Sequence, residues 1–404
     1  MWVGASSYVI SNEVKAPAAA HAVGIGPTGT ASANYAMMTY GIRTLKNSKA
    51  APTEAEVELA RAAYRAEPLS STALALIIPA TPEGKTRTAL LARSGELTRR
   101  NSLLNEEQIK TSALRGDDRA FFQWLSRSVL TNNDVGAAYV GAMAEATAKD
   151  GAVDALTPVV GPAPRWSDSY WQQVIQRPAS LLNAAKLRTA VAQAPWRQTA
   201  VSRWDRYLSI GLTNRGHFDA AQAMYKGLGL AGDGRSVNLV SDGGFTRQPQ
   251  LPPFDWQLAV SGTLGASIDD KDKSLLVSAI GGARGFAARQ LLSLSPGNYA
   301  LGWSLSASMP VASSSLLARI RCAEPGVKAA PVHPIPLEAG KHDVSVSVPE
   351  SMCRWYWLSI DVDLPDDSAG IDAYLRNISL TPAPERGANP RSAGAGDTVG
   401  PGPN

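Results

Sequence analysis

The spacing of apolar residues changes once along the chain. From Pro52 to about residue 230 they recur every three or four positions, the rhythm of helices that bury one stripe. From about 237 to 382 they alternate in short runs bounded by Gly and Pro, the rhythm of half-buried strands. The changeover lies in Val240–Leu258, VSDGGFTRQPQLPPFDWQL, behind the turn-rich run GLGLAGDGRS at Gly227–Ser236. This predicts an N-terminal extension over 1–51, an α-helical domain over 52–232 and an antiparallel β-sandwich over 237–382. The tail over 383–404 is rich in Pro, Gly, Ser and Ala and reads as disordered.

Within the helical part, Thr53 is placed to cap a helix. Glu54 and Glu56 fall in its first turn, where the helix dipole favours acids, and Val57, Leu59, Ala60, Ala63 and Tyr64 form the stripe. Pro68 ends this helix and a second starts near Ser70. Two later segments, GKTRTALLARSGELTRRN from Gly84 and GDDRAFFQWLSRSVLTNN from Gly116, line up at an offset of 32 residues. Each carries an apolar pair, Leu90 and Leu91 in the first, Phe121 and Phe122 in the second. GHFDAAQAMYKGL, from Gly216, extends the series. A period of about 34 residues with Gly at the turn is that of tetratricopeptide repeats. Residues 52–230 thus resemble a degenerate TPR-type array of helical hairpins, with Thr213–Leu228 the best-preserved junction, and the resemblance implies a protein partner. Pro162 and Pro164 interrupt the array before a helix that Ser167 or Asp168 is expected to cap. Trp166, Trp171, Trp196 and Trp204, near such breaks, are expected to fill gaps between repeats. Residues 11–51 carry few helical signals. GIGPTG at Gly24–Gly29 matches a dinucleotide motif only formally, because no convincing strand precedes it, and it reads as a loop.

Strand runs are expected at 274–282, 288–297, 298–308, 315–322, 342–350, 353–364 and 373–380. Tyr299, Leu301, Trp303 and Leu305 share one parity and belong in the core. Over Cys353–Leu364 the core set is Tyr356, Leu358, Ile360 and Val362, and the opposite face carries Trp355, Trp357, Ser359, Asp361 and Asp363. Two rings about 7 Å apart along a strand, flanked by carboxylates, suit a sugar. Ring faces stack on its C–H faces and carboxylates accept from its hydroxyls. Trp355, Trp357 and Asp361 are therefore the candidate glycan-binding residues. The competing expectation is that both rings pack beneath other parts of the protein.

The opening of this domain, with Gly243, Gly244 and Phe245 followed by Pro252, Pro253, Phe254 and Trp256, resembles jelly-roll carbohydrate-binding modules. There an initial strand leads through a Pro-rich turn into a Phe-x-Trp strand. The resemblance implies a jelly-roll sandwich that takes a polysaccharide. In many such modules an acid after the Phe helps hold a structural calcium, and Thr246 stands at that position here. A helical array ahead of such a module also resembles envelope proteins found with bacterial exopolysaccharide assembly systems. That likeness implies an extracytoplasmic, periplasmic setting and envelope assembly proteins as partners.

Composition narrows the classes. The chain is 44% apolar and 18% charged, as a globular protein is. Its net charge of +4 is spread along the sequence rather than gathered in an arm, so nucleic acid is not an expected partner. Cys322 and Cys353 lack metal-type spacing. Neighbouring strands place two cysteines at the Cα separation of about 5.5–6 Å that a disulfide needs, and a bridge favours an oxidising compartment. Two unpaired buried thiols are the alternative. Met1–Ile10 is apolar but has no basic flank and is shorter than the ~20 residues of a spanning helix. Trp2–Ile10 is expected to be either the outer end of a longer membrane anchor or a loosely packed terminus. Asp361, Asp363, Asp366, Asp367 and Asp372 offer oxygen ligands for calcium without EF-hand spacing, so no cofactor is expected. His21, His217, His333 and His342 are scattered, and no carboxylate pair stands out. The leading expectation is a non-enzymatic binding and scaffold protein. A purely structural scaffold comes second, and a polysaccharide-modifying hydrolase third.

Overall fold

The computed structural model describes residues 2–24, 28–231, 237–308, 315–327 and 332–383. The middle of the Gly24–Gly29 motif, the end of the Gly227–Ser236 linker and the tail beyond 383 lie outside these residues. Two compact units emerge, Met1–Gly229 and Leu230–Asn404.

The first unit is helical. Its helices are α1 (Trp2–Asn12), α2 (Pro17–Ala22), α3 (Gly29–Lys46), α4 (Glu54–Ala66), α5 (Ser71–Ala80), α6 (Lys85–Leu97) and α7 (Ser102–Arg115), followed by α8 (Asp118–Thr131), α9 (Gly136–Ala146), α10 (Ala152–Val160), α11 (Ser167–Ile175), α12 (Leu181–Ala192), α13 (Arg203–Thr213) and α14 (Phe218–Gly227). Helix α4 starts where its cap requires. The Thr53 hydroxyl accepts from the Glu56 N–H, and the Glu56 carboxylate accepts from the Thr53 N–H at 2.7 Å. In α11 neither Ser167 nor Asp168 caps; Trp166 holds the cap position with helical backbone angles. The poor helical signal over 11–51 is overturned by α3. Its buried face is Ala31, Ser32, Ala33 and Ala36, side chains too small to mark a period in the sequence. No helix among the described residues is long and apolar enough to cross a membrane.

From α8 onward the helices stack in two alternating series. α8, α10, α12 and α14 pack in succession, and so do α9, α11 and α13. Side chains bridge the turns of this stack to backbone or hydroxyl groups 34 to 40 residues away. Trp166 Nε1 donates to Ser126 Oγ, Ser180 Oγ to the Ala144 carbonyl, Asn183 Nδ2 to the Thr147 carbonyl and Gln198 Nε2 to the Gly161 carbonyl. Gln193 Nε2 reaches the Gly227 carbonyl in the same way. Buried between α12 and α13, Arg188 pairs with Asp205 at 2.6 Å and donates to the carbonyls of Gln198 and Ala200, so its charge is fully partnered.

The second unit is an antiparallel two-sheet sandwich, the fold class that the alternating runs predict. Its strands are β1 (Gln257–Leu258), β2 (Leu264–Asp269), β3 (Ser274–Ala279), β4 (Arg284–Ser293), β5 (Gly297–Ala307), β6 (Leu316–Cys322), β7 (Ile335–Pro336), β8 (Gly340–Val348), β9 (Trp355–Asp363) and β10 (Ile371–Pro382). One sheet runs β1-β4-β9-β6-β7 and the other β2-β3-β10-β5-β8. Tyr299, Leu301, Trp303 and Leu305 point into the core between them, as do Tyr356, Leu358, Ile360 and Val362. The three strands missing from the expected set are β1, β2 and β7. Two of these are two-residue pairings, and β2 carries Gly, Ala and Ser where an apolar alternation would have marked it.

The stretch expected to open the domain as a strand is instead a series of turns up to Trp256. Its backbone is pinned rather than paired. Asn238 Oδ1 accepts from Leu380 N–H at 2.9 Å, its Nδ2 donates to the Ile378 carbonyl, and Leu239 N–H donates to the Leu380 carbonyl. Phe245 and Trp256 then drop side by side into the core, both essentially unexposed. Cys322, at the end of β6, is bonded to Cys353, just before β9.

Candidate functional site

Strand β9 is central in its sheet, so its outward residues sit among those of β4 and β6. Register sets three rows across this outer face: Leu291–Trp357–Arg321, then Gln257–Arg289–Ser359–Arg319, then Phe286–Asp361–Leu317. Phe286 and Arg289 are three residues apart and would normally face opposite ways. A β-bulge at Ala287 absorbs one residue, and both side chains end on the outer face. The Arg289 guanidinium lies over both rings, 4.2 Å from the Phe286 centroid and 4.3 Å from that of Trp357. Its Nε donates to Gln257 Oε1 at 2.8 Å. Burial pulls this guanidinium below its ordinary pKa, and the Asp361 charge opposes that shift.

The expected site residues fall in different environments. Trp357 is half-buried, with Arg289 over it. Trp355 is only 3% exposed, with Phe254 edge-on to its ring at 6.0 Å and the Arg354 guanidinium over it. The two rings therefore do not form an open pair. Asp361 is buried and shares one carboxylate oxygen between Arg319 at 3.0 Å and Arg321 at 3.2 Å. Phe286, Arg289 and Gln257 were missed because parity counted back from Ala288 puts Phe286 in the core, and nothing in the local sequence marks the bulge.

At the position expected for a calcium-holding acid, Thr246 presents a hydroxyl and no carboxylate. The Asp242 carboxylate is already taken by the N–H and hydroxyl of Thr246 and the N–H of Arg247. Among the described residues no three His, Cys, Asp or Glu side chains are grouped to hold a metal. Of the C-terminal acids, Asp363 pairs with Arg284 at 3.3 Å, and Asp366, Asp367 and Asp372 are exposed.

The helical unit carries a separate groove of about 470 Å³ between α11 and α13. It is lined by Ile175, Gln172, Gln176, Trp204 and Tyr207, and Tyr207 is 56% exposed.

No family model matches this chain, and no curated protein matches it. Among solved structures it is similar to a CBM4 protein, with a TM-score of 0.28 and 14% identity over 36% of this chain and 99% of that one. It is similar to a CBM61 module in complex with β-1,4-galactotriose, at 0.27 and 11% over 37% of this chain and all of that one. It is also similar to the N-terminal cellulose-binding domain of a Cellulomonas fimi β-1,4-glucanase, at 0.23 and 17% over 35% of this chain and 94% of that one. At such scores and identities these likenesses carry no functional weight.

Proposed function

We propose that this is a non-enzymatic glycan-binding protein whose outer β4–β9–β6 face takes a polysaccharide. The observation that carries the reading is two half-buried rings, Phe286 and Trp357, brought to one sheet face and surrounded by Gln257, Arg289, Ser359 and Asp361. Rings supply stacking area, and the polar groups supply directional hydrogen bonds to hydroxyls, the composition of a small-molecule site. The two-series helical stack, read as TPR-like hairpins, docks a protein partner through the Trp204–Tyr207 groove. A disulfide supports an extracytoplasmic setting. Together these support a role in an envelope polysaccharide assembly or export system.

The deciding experiment is tryptophan fluorescence and calorimetric titration of the full chain with a panel of neutral and acidic polysaccharides. Saturable binding lost in Trp357→Ala and Phe286→Ala, with the circular dichroism of both variants unchanged, supports the reading. A folded protein that answers to no glycan moves it to a purely structural scaffold. Release of reducing ends from a bound polysaccharide makes it a hydrolase.

A further inference from the structure

The charges on the outer face are unequal. Among the described residues, Arg289, Arg319 and Arg321 stand on it against the single carboxylate of Asp361, while Arg284 and Asp363 cancel at its edge. Asp361 is shared by two guanidiniums, so neither is fully neutralised. Arg321 keeps its side chain 58% exposed. Arg289 is the most constrained of the three. Stacked on two rings and tied through Nε to Gln257, it has given up water around its planar faces, yet among the described residues its terminal nitrogens meet no hydrogen-bond acceptor. A guanidinium held in one orientation with free donors is a fork for a carboxylate, which accepts from both terminal nitrogens at once; a hydroxyl answers only one.

We propose, resting on the glycan reading above, that the ligand is an acidic polysaccharide and that Arg289 binds the carboxylate of a uronic-acid-type sugar. An inorganic anion would satisfy the guanidinium and leave Phe286 and Trp357 unused. A pyranuronate uses both, with its carboxylate on the fork and its C–H groups against the ring surface the guanidinium leaves uncovered. Arg289 and Arg319 lie in one row on strands either side of β9, about 9–10 Å apart at the backbone. A chain laid across the strands therefore meets two cations in succession, which suits a polymer carrying repeated acids. Burial that depresses the Arg289 pKa agrees with a guanidinium that has shed water without gaining a full counter-charge.

The test titrates the full chain with polygalacturonate and with alginate, each beside its carboxyl-reduced neutral form, and with dextran sulfate as a polyanion lacking carboxylates. The acid form of one or both is expected to bind at least about tenfold more tightly than its reduced form, the discrimination of one charge-assisted pair. Arg289→Gln should erase that ratio, and Arg289→Lys, which keeps the charge but not the fork, should restore less than half of it on a logarithmic scale. If Arg289→Gln does not fold, the exposed Arg321→Gln takes its place and should narrow the ratio. Equal binding of acid and reduced forms, still lost in Trp357→Ala, overturns the acidic ligand and leaves the glycan face standing. Dextran sulfate binding as tightly as the uronates, indifferent to Arg289→Gln, reduces the effect to general charge attraction and overturns it too. Absence of binding to every glycan overturns both readings.

Discussion

At Gly243 the backbone passes so close to β10 that a Cβ would lie 1.9 Å from the Ile378 carbonyl oxygen. Neither backbone can yield cheaply, because Asn238 holds the same carbonyl. Gly243→Ala should cost about 3 kcal/mol, the upper range for a forced overpacking, read as a lowered urea midpoint with unchanged slope. Glu56 makes the second residue-scale prediction. Burial raises its pKa, but the hydrogen bond and charge of Arg43 and the bonds to Thr53 outweigh it and hold the carboxyl below its ordinary 4.5. A folded value below the unfolded one means stability is present above pH 4.5 and is lost as the pH falls through the folded value. Thermal melts from pH 6 down to 3 should show this loss in the wild type, and less of it in Glu56→Gln. The cap at Thr53 and the first-turn place of Glu56 were legible because both are local to the helix start, and their reciprocal bonding is added by the structure. The Arg188–Asp205 pair was not legible, since its members are 17 apart and nothing local links them.

Elements read best where one side chain per two or per 3.6 residues is large. β5 alternates bulky and small or polar residues, β9 does so from Leu358 onward, and their core faces followed directly. α3 failed because alanines pack it, and the expected run at 288–297 missed the start of β4, which lies beyond a bulge. The bulge makes its own prediction. Deleting Ala287 removes the bulge and leaves Phe286 and Arg289 two residues apart, still on one face. The ring then keeps its place beside the guanidinium, and glycan binding should be retained where Phe286→Ala loses it. Stability should drop by about 1–3 kcal/mol, because the Ala287 carbonyl that accepts from the Ala259 N–H is lost, checked by titration and urea unfolding of the same variant.

For the whole molecule, the change of rhythm near residue 240 was enough to separate a helical unit from a sandwich, because periodicity is a property of long stretches. The face that collects the candidate side chains was less legible, since it is assembled from β1, β4, β6 and β9, which span residues 257 to 363. The Cys322–Cys353 bond closes a separation of 31 residues within the sandwich. Replacing both cysteines by Ser should cost about 3–4 kcal/mol through the freer unfolded chain, and reductant should lower the melting temperature of the wild type but not of the variant. The hydrogen bonds from Leu380 N–H to Asn238 and from Leu239 N–H to the Leu380 carbonyl set the first and last threads of the sandwich side by side. A domain whose entry and exit touch is a closed ring with one link open. A circular permutant that ties residue 382 to residue 237 through a short Gly-Ser linker, and opens at an exposed loop such as Asp269–Lys273, keeps every strand pairing of the original. Such a sandwich can be spliced into a loop of a host protein as readily as appended to its end.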